Sequence, residues 1–331
     1  MPDDDFTWRD GDRTIRFGRG ALADAPGLLG TGYLLLTTER SAAAAPALSG
    51  AAERTVLVAP GRVDDLAGDL LAEVGTPHAI VALGGGRVID VAKAVGAALG
   101  PSTVVAAVPT TLSAAEMTWV HRHARGVDAA TPRVRPRIVL NDPALSASQP
   151  DAELAASAAN ALGHAVEGCA TAIASPVPTL AARDAARRLS LGLPADGEPD
   201  RDQLALGALL SGYAIDANWY GLHHVMSQTL VREAGAGHGP ANAAMLPVTS
   251  AALRARRSEQ IGALEELLGE PVDVVARRFA ARAGASRLRD IGVPEEVLAA
   301  CAQAASERAE LALTPPPAGP RELEELYRAA W

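Results

Sequence analysis

Three short segments carry the residues best able to do chemistry. The first runs Gly84-Gly85-Gly86-Arg87-Val88-Ile89-Asp90-Val91-Ala92-Lys93, between a β-type run and a helical one. Glycine has no Cβ, so the backbone there can approach a ligand closely. The free N–H groups at the start of the following helix suit a pyrophosphate. The pattern is neither G-x-G-x-x-G nor a Walker motif, and a ligand-free βα turn would use the same residues. The second segment, Pro109-Thr110-Thr111-Leu112-Ser113-Ala114-Ala115-Glu116-Met117-Thr118, sets small hydroxyls at the end of the next strand. Ligands of open parallel sheets bind at the carboxyl ends of strands, so Thr110, Thr111 and Ser113 would share a crevice with the glycine turn. Thr and Ser are also ordinary loop caps. The third is a set of histidines. His164 follows Asn160 by four residues, on one helix face. His223-His224 lie in a helical run, and His238 precedes Gly239. One buried histidine is usually a satisfied core residue. Several beside glycines, in a chain poor in polar core residues, point to a site.

The elements that must position these residues fall into two halves. Tyr33–Thr37, Arg54–Val58, Ala79–Leu83, Thr103–Val108 and Pro136–Leu140 read as strands, with helices at Val63–Val74 and Ile89–Leu99. This alternation argues for a parallel sheet with helices on its faces. After Asn141-Asp142-Pro143 the strand signal stops. Asp151–Ser175, Thr179–Leu191, Arg201–Arg232, Ser258–Leu268, Val272–Gly284, Glu295–Leu313 and Arg321–Trp331 read as helices, punctuated by prolines. The boundary falls near Asp142–Gln149, giving an α/β domain over residues 1–146 and an all-α domain over 147–331. The chain has 331 residues, enough for about two domains.

Composition excludes several function classes. The net charge is −9 and no basic stripe occurs, so nucleic acid is not the expected partner. Arg254–Arg257 reads as a solvated helix face. The two cysteines, Cys169 and Cys301, give no disulfide framework. The acidic opening MPDDDFTWRDGDR does not read as a secretory signal, and no run of about 18 apolar residues suggests a membrane span. A cytoplasmic protein is expected. Basic residues are arginines apart from one lysine, Lys93, whose survival argues for a role in an ion pair or at a ligand.

The motifs GGG-x-x-x-D-x-x-K and PTT-x-x-x-x-E-M-T resemble the iron-containing alcohol dehydrogenase superfamily, and the Glu-Met-Thr version is most similar to maleylacetate reductases. Phe17-Gly18-Arg19-Gly20-Ala21-Leu22 is similar to the family's opening turn. The resemblance implies a Rossmann-like parallel-sheet domain followed by a helical domain, the dehydroquinate synthase-like architecture. It implies that Gly84, Gly85, Gly86 and Asp90 line a dinucleotide site, with Thr110, Thr111 and Ser113 beside it. Arg87 departs from the small residue usual there. Iron-type members hold metal with an Asp and three His; those positions here are Asn160, His164, His224 and His238. Asn supplies no carboxylate charge, so divalent-metal affinity should fall, and no metal is expected. Gln228 replaces a His that the family places near the nicotinamide.

The reading that follows is an NAD(P)H-dependent reductase of a small carbonyl or enoate, acting as a homodimer, with Asn160, His164, His224 and His238 as its catalytic set. Its small-molecule substrate could carry a carboxylate, for which His121, Arg122, His123, Arg125 and Arg232 are candidate cations. Glu39 follows the strand ending at Thr37; an acid there bonds a ribose 2′-OH, favouring NADH, while the neighbouring Arg40 leaves NADPH open. Competing readings are a metal-dependent alcohol dehydrogenase, a lyase or cyclase of the dehydroquinate synthase type, and a non-catalytic NAD-binding protein. The cyclase needs several lysines, and this chain has one.

Overall fold

The computed structural model describes residues 4–331; the first three residues of the acidic opening stretch lie outside it. The chain divides into two compact units, one ending at Gln149 and the other spanning Pro150–Trp331.

The first unit is built on a seven-stranded sheet. Its strands are β1 (Phe6–Asp10), β2 (Arg13–Phe17), β3 (Leu34–Thr37), β4 (Arg54–Leu57), β5 (Ala79–Gly84), β6 (Val104–Pro109) and β7 (Ile138–Asn141). Their order is β1-β2-β7-β6-β5-β3-β4, all parallel except the β1–β2 hairpin. The five strands read from sequence are present. The hairpin is an addition, its exposed first strand too polar to stand out. The interior strand β5 is buried at every residue, as a strand covered on both faces must be, whereas edge strand β4 is largely exposed. Helices α1 (Ala25–Leu29), α2 (Glu39–Ala44), α3 (Pro46–Ala51), α4 (Val63–Leu71) and α5 (Gly86–Leu99) complete this unit. Core residues from α4 and α5 pack with one set of strand side chains, and those from α1 and α3 with the other.

Lys93, on α5, is fully buried. Its ammonium donates to the carbonyls of Ala115 (3.0 Å), Thr118 (3.0 Å) and Val120 (2.7 Å), and pairs with Asp90 Oδ1 at 2.8 Å. The only lysine thus ties the segment after β6 to the helix that follows the glycine turn. A charge this deep is tolerable because each hydrogen of the ammonium has an acceptor.

The second unit is helical: α6 (Asp151–Ala170), α7 (Pro176–Gly192), α8 (Arg201–Asn218), α9 (Leu222–Glu233), α10 (His238–Arg256), α11 (Ser258–Leu268), α12 (Val272–Arg282), α13 (Leu298–Ser306) and α14 (Pro320–Ala330). The expected single helix over Arg201–Arg232 is two. Trp219, with φ of 58°, breaks it, a backbone state unfavourable for a bulky residue. Distant side chains hold the break open: Thr171 Oγ1 donates to the Asn218 carbonyl (2.6 Å), and Asn218 Nδ2 donates to the Gly168 carbonyl (2.7 Å). The helix α10 was unexpected, because Pro240 reads as punctuation between helices; Pro247 lies inside it. Pro240 falls in its first turn, where no amide partner is required. Arg256, expected on a solvated face, is buried against Glu322. Cys169 and Cys301 are both buried and free. No helix among the described residues is long and apolar enough to cross a membrane.

Replacing Lys93 with Met should strand three buried carbonyls and leave Asp90 without its counter-charge. A loss of about 3 kcal/mol in chemical denaturation is expected; a loss below about 1 kcal/mol would show that the lysine does not hold this segment.

Candidate active site

The residues expected to hold a dinucleotide come together in the first unit. Gly84 ends β5 and Gly85 is the N-cap of α5, without any side-chain cap bond, so the first-turn amides of a long helix are left for a ligand. The hydroxyl loop after β6 lies directly against the turn. A Cβ on Gly85 would stand 3.0 Å from Thr111 Cγ2, and one on Gly86 would stand 3.1 Å from Ser113 Cβ. Glycine is therefore favoured twice, where two loops meet closely. Thr110 is buried, and its Oγ1 lies 3.3 Å from Ser41 Oγ. Asp90 is the partner of Lys93, and Glu39 opens α2 in an exposed position after the Thr38 cap.

In the second unit Asn160 and His164 sit on α6, His224 in the first turn of α9, and His238 at the start of α10. The His164 and His224 rings stack at 4.7 Å with a 12° interplanar angle, and His223 meets His224 edge-on at 4.9 Å. Asn160, His164 and His224 are buried, whereas His238 is exposed. Gly163 makes the arrangement possible, because a Cβ there would come within 2.6 Å of His223 Nε2.

The residue that organises this cluster, Glu167, is absent from the expected set. It has no exposure to solvent. Oε1 accepts from the amides of Gly221 (3.0 Å) and His223 (2.8 Å). Oε2 accepts from the amide of His224 (3.2 Å) and lies 2.6 Å from His224 Nδ1. Burial raises the Glu167 carboxyl above the usual carboxylate range, while the three backbone amides oppose that shift. Three fixed amide donors at a helix N-terminus favour the ionised form. His224 Nδ1 is then the donor to Oε2, and Nε2 carries the lone pair. Its one sequence signal was a lone acid in the apolar stretch of α6, one turn beyond His164.

Burial pushes His223 and His224 down to about 3 and His164 well below the usual histidine range, with neighbouring imidazoles adding to each shift. All three are neutral at pH 7, so the ordinary histidine pKa near neutrality does not apply here. Thr249 Oγ1 donates to the Met245 carbonyl (2.9 Å) and so accepts from His223 Nδ1 (2.8 Å). Asn160 Oδ1, His164 Nδ1, His223 Nε2 and His224 Nε2 are buried without a hydrogen-bond partner among the described residues.

The cations considered for a substrate are committed elsewhere. Arg122 pairs with Asp64 (3.6 Å), and Arg125 pairs with Asp65 (3.3 Å) and Asp69. His121 and His123 bond backbone carbonyls. Arg232 donates to Gln228.

A family model described as Fe-containing alcohol dehydrogenase family, C-terminal, matches residues 154–331. A maleylacetate reductase of Sphingobium indicum is 30% identical over 254 residues, covering 70% of this chain and 71% of the relative. The chain belongs to the iron-containing alcohol dehydrogenase family. Maleylacetate reductase 1 of Rhodococcus opacus is 34% identical over 198 residues, 57% of this chain; the match spans only about half of that relative, 54%. The structure of a maleylacetate reductase from Agrobacterium tumefaciens superimposes with a TM-score of 0.84 at 26% identity, covering 100% of this chain and 98% of that one. The family is NAD(P)-dependent and its relatives here are oxidoreductases.

The family name implies iron, and the donor set does not fit it. Asn160 brings no charge, and the carboxylate beside the rings, Glu167, is held by three amides and an imidazole. Rings stacked at 12° do not converge on a common point, and among the described residues no group of three or more His, Cys, Asp or Glu could hold a metal ion. The glycine turn does fit a dinucleotide, since the first-turn amides of α5 carry no side-chain cap and small hydroxyl residues face them.

Gly85→Val should abolish NADH binding in calorimetry while leaving a folded chain by circular dichroism. Affinity equal to that of the parent would remove the turn from the nucleotide site.

Proposed function

We propose that this chain is an NAD(P)H-dependent reductase that transfers hydride to a small carbonyl or enoate substrate, in the manner of maleylacetate reductases and without a metal. One observation carries the reading: Asn160, His164 and His224 are buried together with polar atoms left unpaired. Unpaired buried polar groups are costly; a substrate hydroxyl, which can donate to the His224 Nε2 lone pair and accept from a ring N–H of His164, would relieve this cluster. The dinucleotide belongs at Gly84, Gly85 and Gly86, beside Thr110, Thr111 and Ser113, with Asp90 held by Lys93. Glu39 supports NADH as the preferred form.

When bound, the reduced nicotinamide supplies the hydride. The oxygen of the reduced carbonyl then gains negative charge, and protein donors must meet it. The Asn160 amide can donate there, which a carboxylate at that position could not do. His164 adds a ring N–H. The imidazoles are neutral at rest, so the proton completing the alcohol passes through them from solvent rather than being stored on them. His238, exposed at the start of α10, is the outermost of the set and suits that exchange. In the reverse direction the lone pair of His224 Nε2 takes the alcohol proton, with Glu167 behind it.

The test is oxidation of NADH and NADPH against maleylacetate, 2-keto acids and aldehydes, before and after chelation. Reduction of at least one of these, preferring NADH and unchanged by chelator, is expected, and Asn160→Asp should raise iron or zinc occupancy. Stoichiometric metal in untreated protein, with activity lost on chelation and restored by metal, would make it a metal-dependent alcohol dehydrogenase instead.

A further inference from the structure

Arg308, between α13 and the short turn Ala309–Leu313, was not among the cations that the sequence singled out. Its side chain is 15% exposed. Nε donates to Glu310 Oε2 (3.1 Å), and Nη2 donates to Glu310 Oε1 (2.8 Å), Gln228 Oε1 (3.2 Å) and Tyr220 Oη (3.3 Å). Nη1 is buried and has no acceptor among the described residues.

Two of these partners border the histidines. The Tyr220 ring centroid is 5.7 Å from that of His224. Gln228 lies four residues beyond His224 on α9, on the same face. Tyr220 follows the strained Trp219, on which its ring stacks at 5.1 Å. Strain of this kind persists only where surrounding structure imposes it, and it gathers at functional sites. The guanidinium is thus fixed on one edge by Glu310, Gln228 and Tyr220, while a charged nitrogen on its other edge is left over. A buried charged donor without an acceptor is costly, and here it belongs to a side chain whose partners border the histidines. What that nitrogen lacks is an anion, and a planar guanidinium matches a carboxylate best.

We propose that Arg308 is a specificity-determining residue that holds a carboxylate of the substrate beside the histidine cluster. This rests on the reductase reading, and it assigns a residue to the acid group of a carbonyl substrate that carries one.

The experiment uses the full chain and its Arg308→Gln and Arg308→Lys variants. Succinate, a dicarboxylate that cannot accept hydride, is titrated calorimetrically, so the result does not depend on turnover. The parent should bind it, Arg308→Gln should bind at least about 30-fold more weakly, and Arg308→Lys should recover part of the loss. In parallel, kcat/KM is measured for NADH-driven reduction of 4-oxobutanoate and of butanal. The ratio of the two should fall about 100-fold in Arg308→Gln, mostly through KM. Should Arg308→Gln not fold, Arg308→Lys alone decides, since it keeps the charge but loses the fork. Absence of succinate binding by the parent, or equal binding by a folded variant, overturns the assignment, as does an unchanged substrate ratio. Failure to oxidise NADH with any carbonyl compound, with succinate binding intact, would refute the reductase and leave the carboxylate site standing.

Discussion

The second unit depends on one buried carboxylate. Glu167 collects the amides of Gly221, His223 and His224 and the imidazole of His224. Those amides open α9, where an anion is favoured by the helix dipole. A helix cannot run on through residues whose amides are turned toward a side chain of another helix, so the same contact that places His224 also helps to end α8 early. The break then carries Trp219 and Tyr220 to the side of the cluster. Gly163, one turn before Glu167, gives the His223 ring its space. Removing the charge would disturb the backbone and the histidines together, which is why the acid and its helix must be considered as one element.

A second buried charge performs a comparable task in the first unit. Lys93 gathers carbonyls from the segment after β6 and pairs with Asp90. The loop carrying Thr110, Thr111 and Ser113 is thereby anchored to the helix whose N-terminus follows the glycine turn. In a chain that uses arginine everywhere else, a lysine at this point has a physical reason. A compact ammonium can direct three hydrogens at three carbonyls, whereas a planar guanidinium of greater width cannot occupy the same space.

What sequence revealed and what it hid follow from the range of the forces involved. The central strands were legible because Ala79–Leu83 and Thr103–Val108 are uninterrupted apolar runs, a signal that burial on both faces writes directly into the chain. The glycine turn and the hydroxyl loop were legible as motifs, and they do meet. The hairpin Phe6–Phe17 was hidden because its strands are short and include many charges, although Phe6 and Trp8, and Ile15 and Phe17, alternate with polar residues. The division of α8 from α9 was hidden for another reason: local propensity favours one helix, and the contacts that break it come from Gly168, Thr171 and Glu167, about 50 residues away in sequence. The same distance concealed Arg308, whose partners Tyr220 and Gln228 lie about 80 residues earlier. Residue type does not set a histidine pKa either, because exposure does: burial takes His224 down to about 3.

The proposed reduction depends on the state of the Glu167–His224 pair, and nitrogen-15 NMR of histidine-labelled protein at pH 7 reads it directly. The expected spectrum is that of a neutral His224 ring protonated at Nδ1, with a bare Nε2 and no bound metal. An Nε2-protonated tautomer would mean that Glu167 holds the proton instead, and an imidazolium or a metal-shifted Nε2 signal would contradict the neutral, metal-free cluster on which the proposed reduction rests.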